Sequence, residues 1–238
     1  MRGLLPTWEA CIFLQDLLIS VNKRKLIAFD MDGVLTKHPS SWSFVHKYFG
    51  VNNSINLSLY RSGKISYSTF IAEDVKLWLS KKNPISGDEI VNIMKLIPLM
   101  DNLYAGLELL RKRGCIISIV SGGLSCLSDI IAQGFRFDRI FSNSIDLDSK
   151  GNLVPGGKVG VIPEKKNLAI MEMQEDFGIG VDDTFSVGDS DFDVSMFDVS
   201  AFKVAFNPRS PMLVSSADLI LYSQDFLDLV ERISKRID

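Results

Sequence analysis

Residues Leu26 to Phe29 form a short apolar run that stops at Asp30-Met31-Asp32-Gly33. A run of that length bounded by glycine fits a strand buried on both faces of a parallel sheet. Open α/β sheets bind ligands beyond the carboxyl ends of their strands, which puts Asp30 and Asp32 at the mouth of a site. Two acids there repel each other unless a cation or a proton compensates them. Taken alone, Asp-X-Asp is more often a strand end with solvated carboxylates. The case for chemistry rests on residues further along the chain.

The sequence after this strand divides in two. From Lys37 to about Ile97 it is polar, aromatic and helical in pattern. Ser41 to Phe49 predicts a helix stopped by Gly50, and Tyr67 to Leu79 carries Phe70, Ile71, Val75 and Leu79 on one helical face. Ser86-Gly87-Asp88-Glu89 is a capping box that opens a third helix. So long a stretch is no plain loop. We read residues 38–98 as a small inserted helical domain, with 25–37 and 99–238 as an α/β core.

In the core an α/β rhythm resumes. Helices are predicted over Leu103 to Arg113, Leu124 to Gln133, Lys165 to Phe177 and Phe226 to Ile233. Strands are predicted over Cys115 to Val120, Arg139 to Ser142, Thr184 to Val187, Ala201 to Phe206 and Leu219 to Tyr222, with a hairpin around Asp148 to Gly151. Repeated strand–helix units imply an α/β fold with a doubly wound, Rossmann-like parallel sheet.

Composition narrows the function. The 238 residues are 46% hydrophobic and 23% charged, the balance of an ordinary globular protein. A net charge of −3 gives no basic footprint, so nucleic acid is not the expected partner. Cys11, Cys115 and Cys126 lack metal or redox spacing, consistent with buried thiols in a reducing cytoplasm. The apolar cluster near the N-terminus is too short and too polar to span a bilayer and lacks the pattern of a signal peptide. Residues 1–24 are expected to be an amphipathic extension, helical over 7–21; a disordered extension is the alternative.

Three further features sit at predicted strand ends or helix starts. Ile117 to Val120 runs into Ser121-Gly122-Gly123, where a hydroxyl and backbone N–H groups at a helix start could cradle a phosphate; a serine N-cap is the plainer alternative. The strand ending at Val187 runs into Gly188-Asp189-Ser190-Asp191-Phe192-Asp193, three carboxylates that suggest a metal site. An EF-hand is excluded, because Val194 and Ser200 stand where glycine and glutamate are required. Between these, Lys165 and Lys166 open a helix, the less favoured end for a cation unless an anion lies nearby.

The order is paired aspartates, Ser-Gly-Gly, lysine, then Gly-Asp-x-x-x-Asp. It resembles the haloacid dehalogenase superfamily of phosphatases, its phosphoserine phosphatase branch most closely, over about residues 25 to 235. The resemblance implies that Asp30 is the nucleophile and Asp32 the general acid/base. It assigns phosphate contacts to Ser121 and Lys166, with Gly33 and Gly122 beside them. Lys166 is chosen over Lys165 for its interval to Gly188-Asp189. Mg²⁺ would be held by Asp30, the Asp32 backbone carbonyl and Asp189, and Asp193 would support the metal shell or hold the lysine. The expected substrate is a small soluble phosphomonoester. Oligomeric state is left open.

The chemistry is consistent with those roles. A carboxylate attacking a phosphate dianion needs its repulsion neutralised by cations. The second aspartate must give and then take a proton, so it needs a raised pKa. Residues that read an amino-acid substrate are not kept. His38-Pro39-Ser40-Ser41 replaces the branch's acidic residue, Asp74 falls where an arginine is implied, and Phe192 replaces an asparagine. A phosphotransferase using the same intermediate stays open, as does a phosphate-binding protein without turnover. A response-regulator receiver fits less well, since receivers lack a second catalytic aspartate and an insert of this kind.

Overall fold

A computed structural model describes residues 24–237. The expectations for the extension before Arg24 lie outside the described residues. In chain order the elements begin with β1 (Leu26–Phe29), α1 (Ser41–Tyr48), α2 (Ser54–Arg61), α3 (Tyr67–Leu79) and α4 (Gly87–Met94). Then come α5 (Leu103–Lys112), β2 (Ile116–Leu124), α6 (Ser125–Ala132), β3 (Arg139–Asn143) and a two-stranded ribbon, β4 (Asp146–Leu147) with β5 (Leu153–Val154). The chain closes with α7 (Lys166–Phe177), β6 (Thr184–Gly188), α8 (Val194–Phe197), β7 (Phe202–Phe206), α9 (Pro211–Ser216), β8 (Leu219–Leu221) and α10 (Phe226–Ile237).

Six strands form one parallel sheet in the order β3-β2-β1-β6-β7-β8. The fold is the expected doubly wound α/β arrangement. From β1 the chain builds outward through β2 and β3, then returns to the other side of β1 for β6, β7 and β8. The boundary between β1 and β6 is therefore the topological switch point, where such sheets open a crevice. Phe29 pairs with Val187, so the chain leaves both strands side by side, into Asp30 on one and Asp189 on the other.

The sequence of β1 explains its central place. All four residues are fully buried. Ile27 and Phe29 face one apolar cluster while Leu26 and Ala28 face the other, as the strand's period of two requires. Val45, Val75, Trp78, Ile90 and Met94, from the helices between β1 and β2, belong to the same cluster as Phe29.

Serines start three of those helices. Ser40, Ser66 and Ser86 accept from the N–H groups of Ser43, Thr69 and Glu89. At Ser86 only half of the expected capping box forms, because Glu89 instead reaches Lys82 at 2.7 Å. Helix α2 was not expected: Ile55, Leu57 and Leu59 alternate as in a strand, none of its residues is buried, and Asn53 makes no side-chain cap. Short α9 was also unexpected. A third difference concerns Ser121-Gly122-Gly123. The three residues do not open a helix but lie within β2, where the register with β3 breaks between Val120 and Leu124, and α6 begins only at Ser125. The extra residues bulge the strand, which re-aims backbone groups at its end.

Candidate active site

Asp30 donates its backbone N–H to Val187 at 2.9 Å, the last ladder bond of β1. The chain then turns sharply, with the Met31 carbonyl accepting from Leu35 at 2.9 Å and Thr36 at 3.1 Å. Gly33 makes this turn possible. Its φ is +81°, and a Cβ there would lie 2.0 Å from Asp189 Oδ2. The turn buries both aspartates, leaving Asp30 4% and Asp32 7% exposed.

Lys166, at the first turn of α7, is 2% exposed and reaches across to this strand end. Its Nζ donates to Asp30 Oδ1 at 2.7 Å and to Asp193 Oδ1 at 2.6 Å. Burial opposes the ammonium's charge, but Asp193 and Asp30 outweigh it and hold the lysine protonated above its ordinary range. Two carboxylates share one cation, so this triad keeps an excess negative charge. Burial, with Asp193 adding to it, holds Asp30 above the usual carboxylate range despite Lys166.

Asp193 is fully engaged. Its Oδ2 accepts from the N–H groups of Asp189 and Ser190, both at 2.9 Å, and from the Ser190 hydroxyl at 3.0 Å. Asp189 is held less completely. Its Oδ2 accepts from Arg209 Nε at 2.8 Å, while its buried Oδ1 has no partner. Burial, then the charge of Asp193, pushes the Asp189 carboxyl up to about 8.

Asp32 is gripped from one side. Its Oδ2 accepts from the Ser41 N–H at 2.9 Å and the Ser41 hydroxyl at 2.8 Å, and its buried Oδ1 has no partner. A Cβ on Gly123 would come within 2.5 Å of Asp32 Oδ2, so only glycine lets the β2 bulge pass here. Burial pushes Asp32 up to about 7, with the charge of Asp30 adding to it and the Ser41 bonds opposing. A carboxyl poised there can give or take a proton near neutral pH.

Ser121 is buried and its hydroxyl accepts from the Gly123 N–H at 3.1 Å. The Gly122 carbonyl collects three donors: Trp42 Nε1 at 3.0 Å, Asn143 Nδ2 at 3.0 Å and the Tyr67 hydroxyl at 3.3 Å. These bonds fasten α1 and α3 to the bulge. The structure thus brings Asp30, Asp32, Ser121, Gly122, Lys166 and Asp189 to one cavity of about 390 Å³, with Gly33 and Asp193 packed behind. Asp191, the middle acid of its motif, is exposed at the cavity's edge.

Residues 24–198 match the haloacid dehalogenase-like hydrolases, more than half of the chain. The chain belongs to that family. It is 26% identical over 214 residues to a phosphoserine phosphatase of Methanocaldococcus jannaschii, an alignment covering 89% of this chain and 98% of that protein. A phosphoserine phosphatase of Saccharomyces cerevisiae is 23% identical, with 90% and 71% covered. A solved phosphoserine phosphatase described as a phospho-aspartyl intermediate analogue superposes with a TM-score of 0.73 at 23% identity, covering 88% of this chain and 99% of that one, a likeness of fold. Family and relatives together indicate a phosphoric monoester hydrolase. Among the described residues no helix is long and apolar enough to cross a membrane.

In this haloacid dehalogenase-like hydrolase, Asp30, Asp189 and Asp193 offer carboxylate oxygens within 4.8 Å of one another. The donor set is all oxygen and anionic, and the orphaned Asp189 Oδ1 has no protein partner to satisfy it. A hard divalent cation such as Mg²⁺ suits that chemistry. Ser41, Asn143 and Arg209 were missed in the sequence. Asn143, a polar residue ending an edge strand, was the one with a signal. It is fully buried, and its Oδ1 accepts from Gly160 at 2.8 Å and Val161 at 2.9 Å, tying the approach to Lys166 to the same bulge.

Proposed function

We propose that the chain is a Mg²⁺-dependent phosphomonoester phosphatase working through an aspartyl phosphate on Asp30. The observation that carries this is Lys166, pinned between Asp30 and Asp193, with Asp32 beside them offering an unpartnered buried Oδ1. An ammonium fixed against the nucleophile reduces the repulsion a phosphate dianion meets on approach. Ser121 and the N–H groups of the bulge contact the phosphoryl oxygens.

The chemistry has two displacements. An Asp30 oxygen attacks phosphorus, the bond to the leaving oxygen breaks, and Asp32 gives that oxygen a proton. Water then attacks the phosphoryl group, Asp32 takes the water's proton, and the Asp30 carboxylate is released with inorganic phosphate. Asp30, Asp189 and the Asp32 carbonyl would hold Mg²⁺, which supplies charge neutralisation at the phosphoryl group when bound. Asp193 positions Lys166, and residues 38–98 act as a cap that excludes bulk water.

The substrate is a small soluble metabolite. The cap residues differ from what a phosphoserine reader needs, with Asp74 in the cavity wall. The test is phosphate release over a metabolite panel with and without Mg²⁺. Turnover that vanishes in chelator and returns with Mg²⁺ is expected. Full activity in chelator contradicts the metal assignment, and no release from any phosphomonoester contradicts the whole reading.

A further inference from the structure

Asp74 in α3 lines the same cavity, and its residue exposure is 0%. Its Oδ2 accepts from His46 Nε2 at 3.1 Å and Asn53 Nδ2 at 2.9 Å, and its Oδ1 from Asn56 Nδ2 at 3.1 Å. The indole of Trp78 donates to His46 Nδ1 at 2.7 Å. An indole can only donate, so His46 accepts on Nδ1 and carries its proton on Nε2, as a neutral ring. All three of these partners of Asp74 are therefore neutral, and one acceptor site of the carboxylate is left over.

The cations of the cavity do not balance it. Lys166 is held by Asp30 and Asp193, Arg209 by Asp189, and Arg61 is an exposed residue of the lining. Much of the cavity lining is aromatic, with Trp42, Tyr60, Tyr67 and Phe70 beside Leu57 and Phe192. Tyr60 stacks on Phe70 at 5.3 Å and leans on Tyr67 at 5.2 Å. Bonds from Trp42 and Tyr67 to the Gly122 carbonyl fix this lining against the phosphate end. Ring faces and an uncompensated carboxylate both attract a cation and repel an anion.

We propose that this cavity selects phosphomonoesters of amino alcohols, substrates that carry a cation and no carboxylate, and that Asp74 determines the choice. The inference rests on the phosphatase reading above. Asp74 also ties α1, α2 and α3 together, so the wild-type comparison comes first.

The experiment measures kcat/KM for O-phosphoethanolamine, its neutral analogue 2-hydroxyethyl phosphate, and O-phosphoserine, which adds only a carboxylate to the first. The reference is p-nitrophenyl phosphate. The expected order is phosphoethanolamine, then hydroxyethyl phosphate, then phosphoserine, with at least about tenfold between the ends. In a folded Asp74→Asn the span should shrink to about threefold or less. Phosphoserine equal to or better than phosphoethanolamine overturns the inference, as does cleavage of the reference with none of the three hydrolysed. A folded Asp74→Asn that keeps the full span removes Asp74 from the selection. No turnover of any compound, the reference included, refutes the phosphatase reading itself and the inference with it.

Discussion

Ser41 holds Asp32 by a single oxygen, with its N–H at 2.9 Å and its hydroxyl at 2.8 Å both on Oδ2. The same hydroxyl accepts from the Leu124 N–H at 2.9 Å, so α1, the Asp32 carboxyl and the end of β2 are coupled through one side chain. The arrangement fixes the rotamer of Asp32 and leaves Oδ1 free to move a proton.

Ser41→Ala removes one of the two bonds and frees the carboxyl to rotate. A hydrogen bond to a charged group contributes roughly 1.5–3 kcal/mol. We expect kcat to fall by about tenfold to a hundredfold with a poor leaving group and KM to change little. With a leaving group that needs no proton, kcat/KM, which reports the first displacement alone, should recover most of its value, while the water step still depends on Asp32. An equal loss of kcat/KM with both leaving groups places Ser41 outside proton transfer to the leaving group.

The Lys166–Asp193 contact predicts a stability effect separate from catalysis. Both side chains are almost wholly buried. Asp193→Asn leaves the ammonium short of one charge partner and sets an amide against the lysine or the Asp189 and Ser190 N–H groups. Lys166 keeps Asp30 as its counter-charge, so the loss is that of a hydrogen bond between charged groups, about 1.5–3 kcal/mol, or roughly 3–12 °C in Tm for a chain of this size. Lys235→Ala, which breaks an exposed pair with Glu231, should leave Tm unchanged. Equal shifts in the two variants contradict a buried tether.

Much of this site was legible in the sequence, and the residues show why. β1 is apolar at every position because both its faces are buried, and Asp30, Asp32 and Asp189 follow directly from strand ends. Residues fixed by chain geometry can be read from local pattern. Arg209 cannot, because its role depends on a partner 20 residues away across the site. Ser41 and Asn143 act likewise, through bonds that exist only once the strands are assembled. Helix α2 was hidden because its alternating apolar residues mimic a strand while the helix lies unburied on the surface.

The proposed metal site links acidity and metal binding at Asp189. In the metal-free protein Asp189 is pushed up to about 8 and Asp32 to about 7, both above 3.8. The folded state then binds more protons than the unfolded chain between about pH 4 and pH 8, so stability falls as pH rises through that window. If Asp189 holds Mg²⁺ as proposed, it does so ionised, and binding removes the penalty. The gain in Tm on adding Mg²⁺ should be larger at about pH 8.5 than at about pH 6. A gain that is constant or larger at the lower pH contradicts the linkage.

Both displacements depend on Asp30 becoming covalently phosphorylated, and trapping that adduct decides whether it does. Asp32→Asn slows both proton transfers, so the phosphoenzyme should accumulate when this variant is mixed with a substrate that has a good leaving group, in the presence of Mg²⁺. Acid quench and peptide mass spectrometry should find one added phosphoryl group on the peptide that contains Asp30, and none in the Asp30→Asn, Asp32→Asn double variant. An adduct on another residue, or hydrolysis that persists when Asp30 alone is replaced by asparagine, would contradict it.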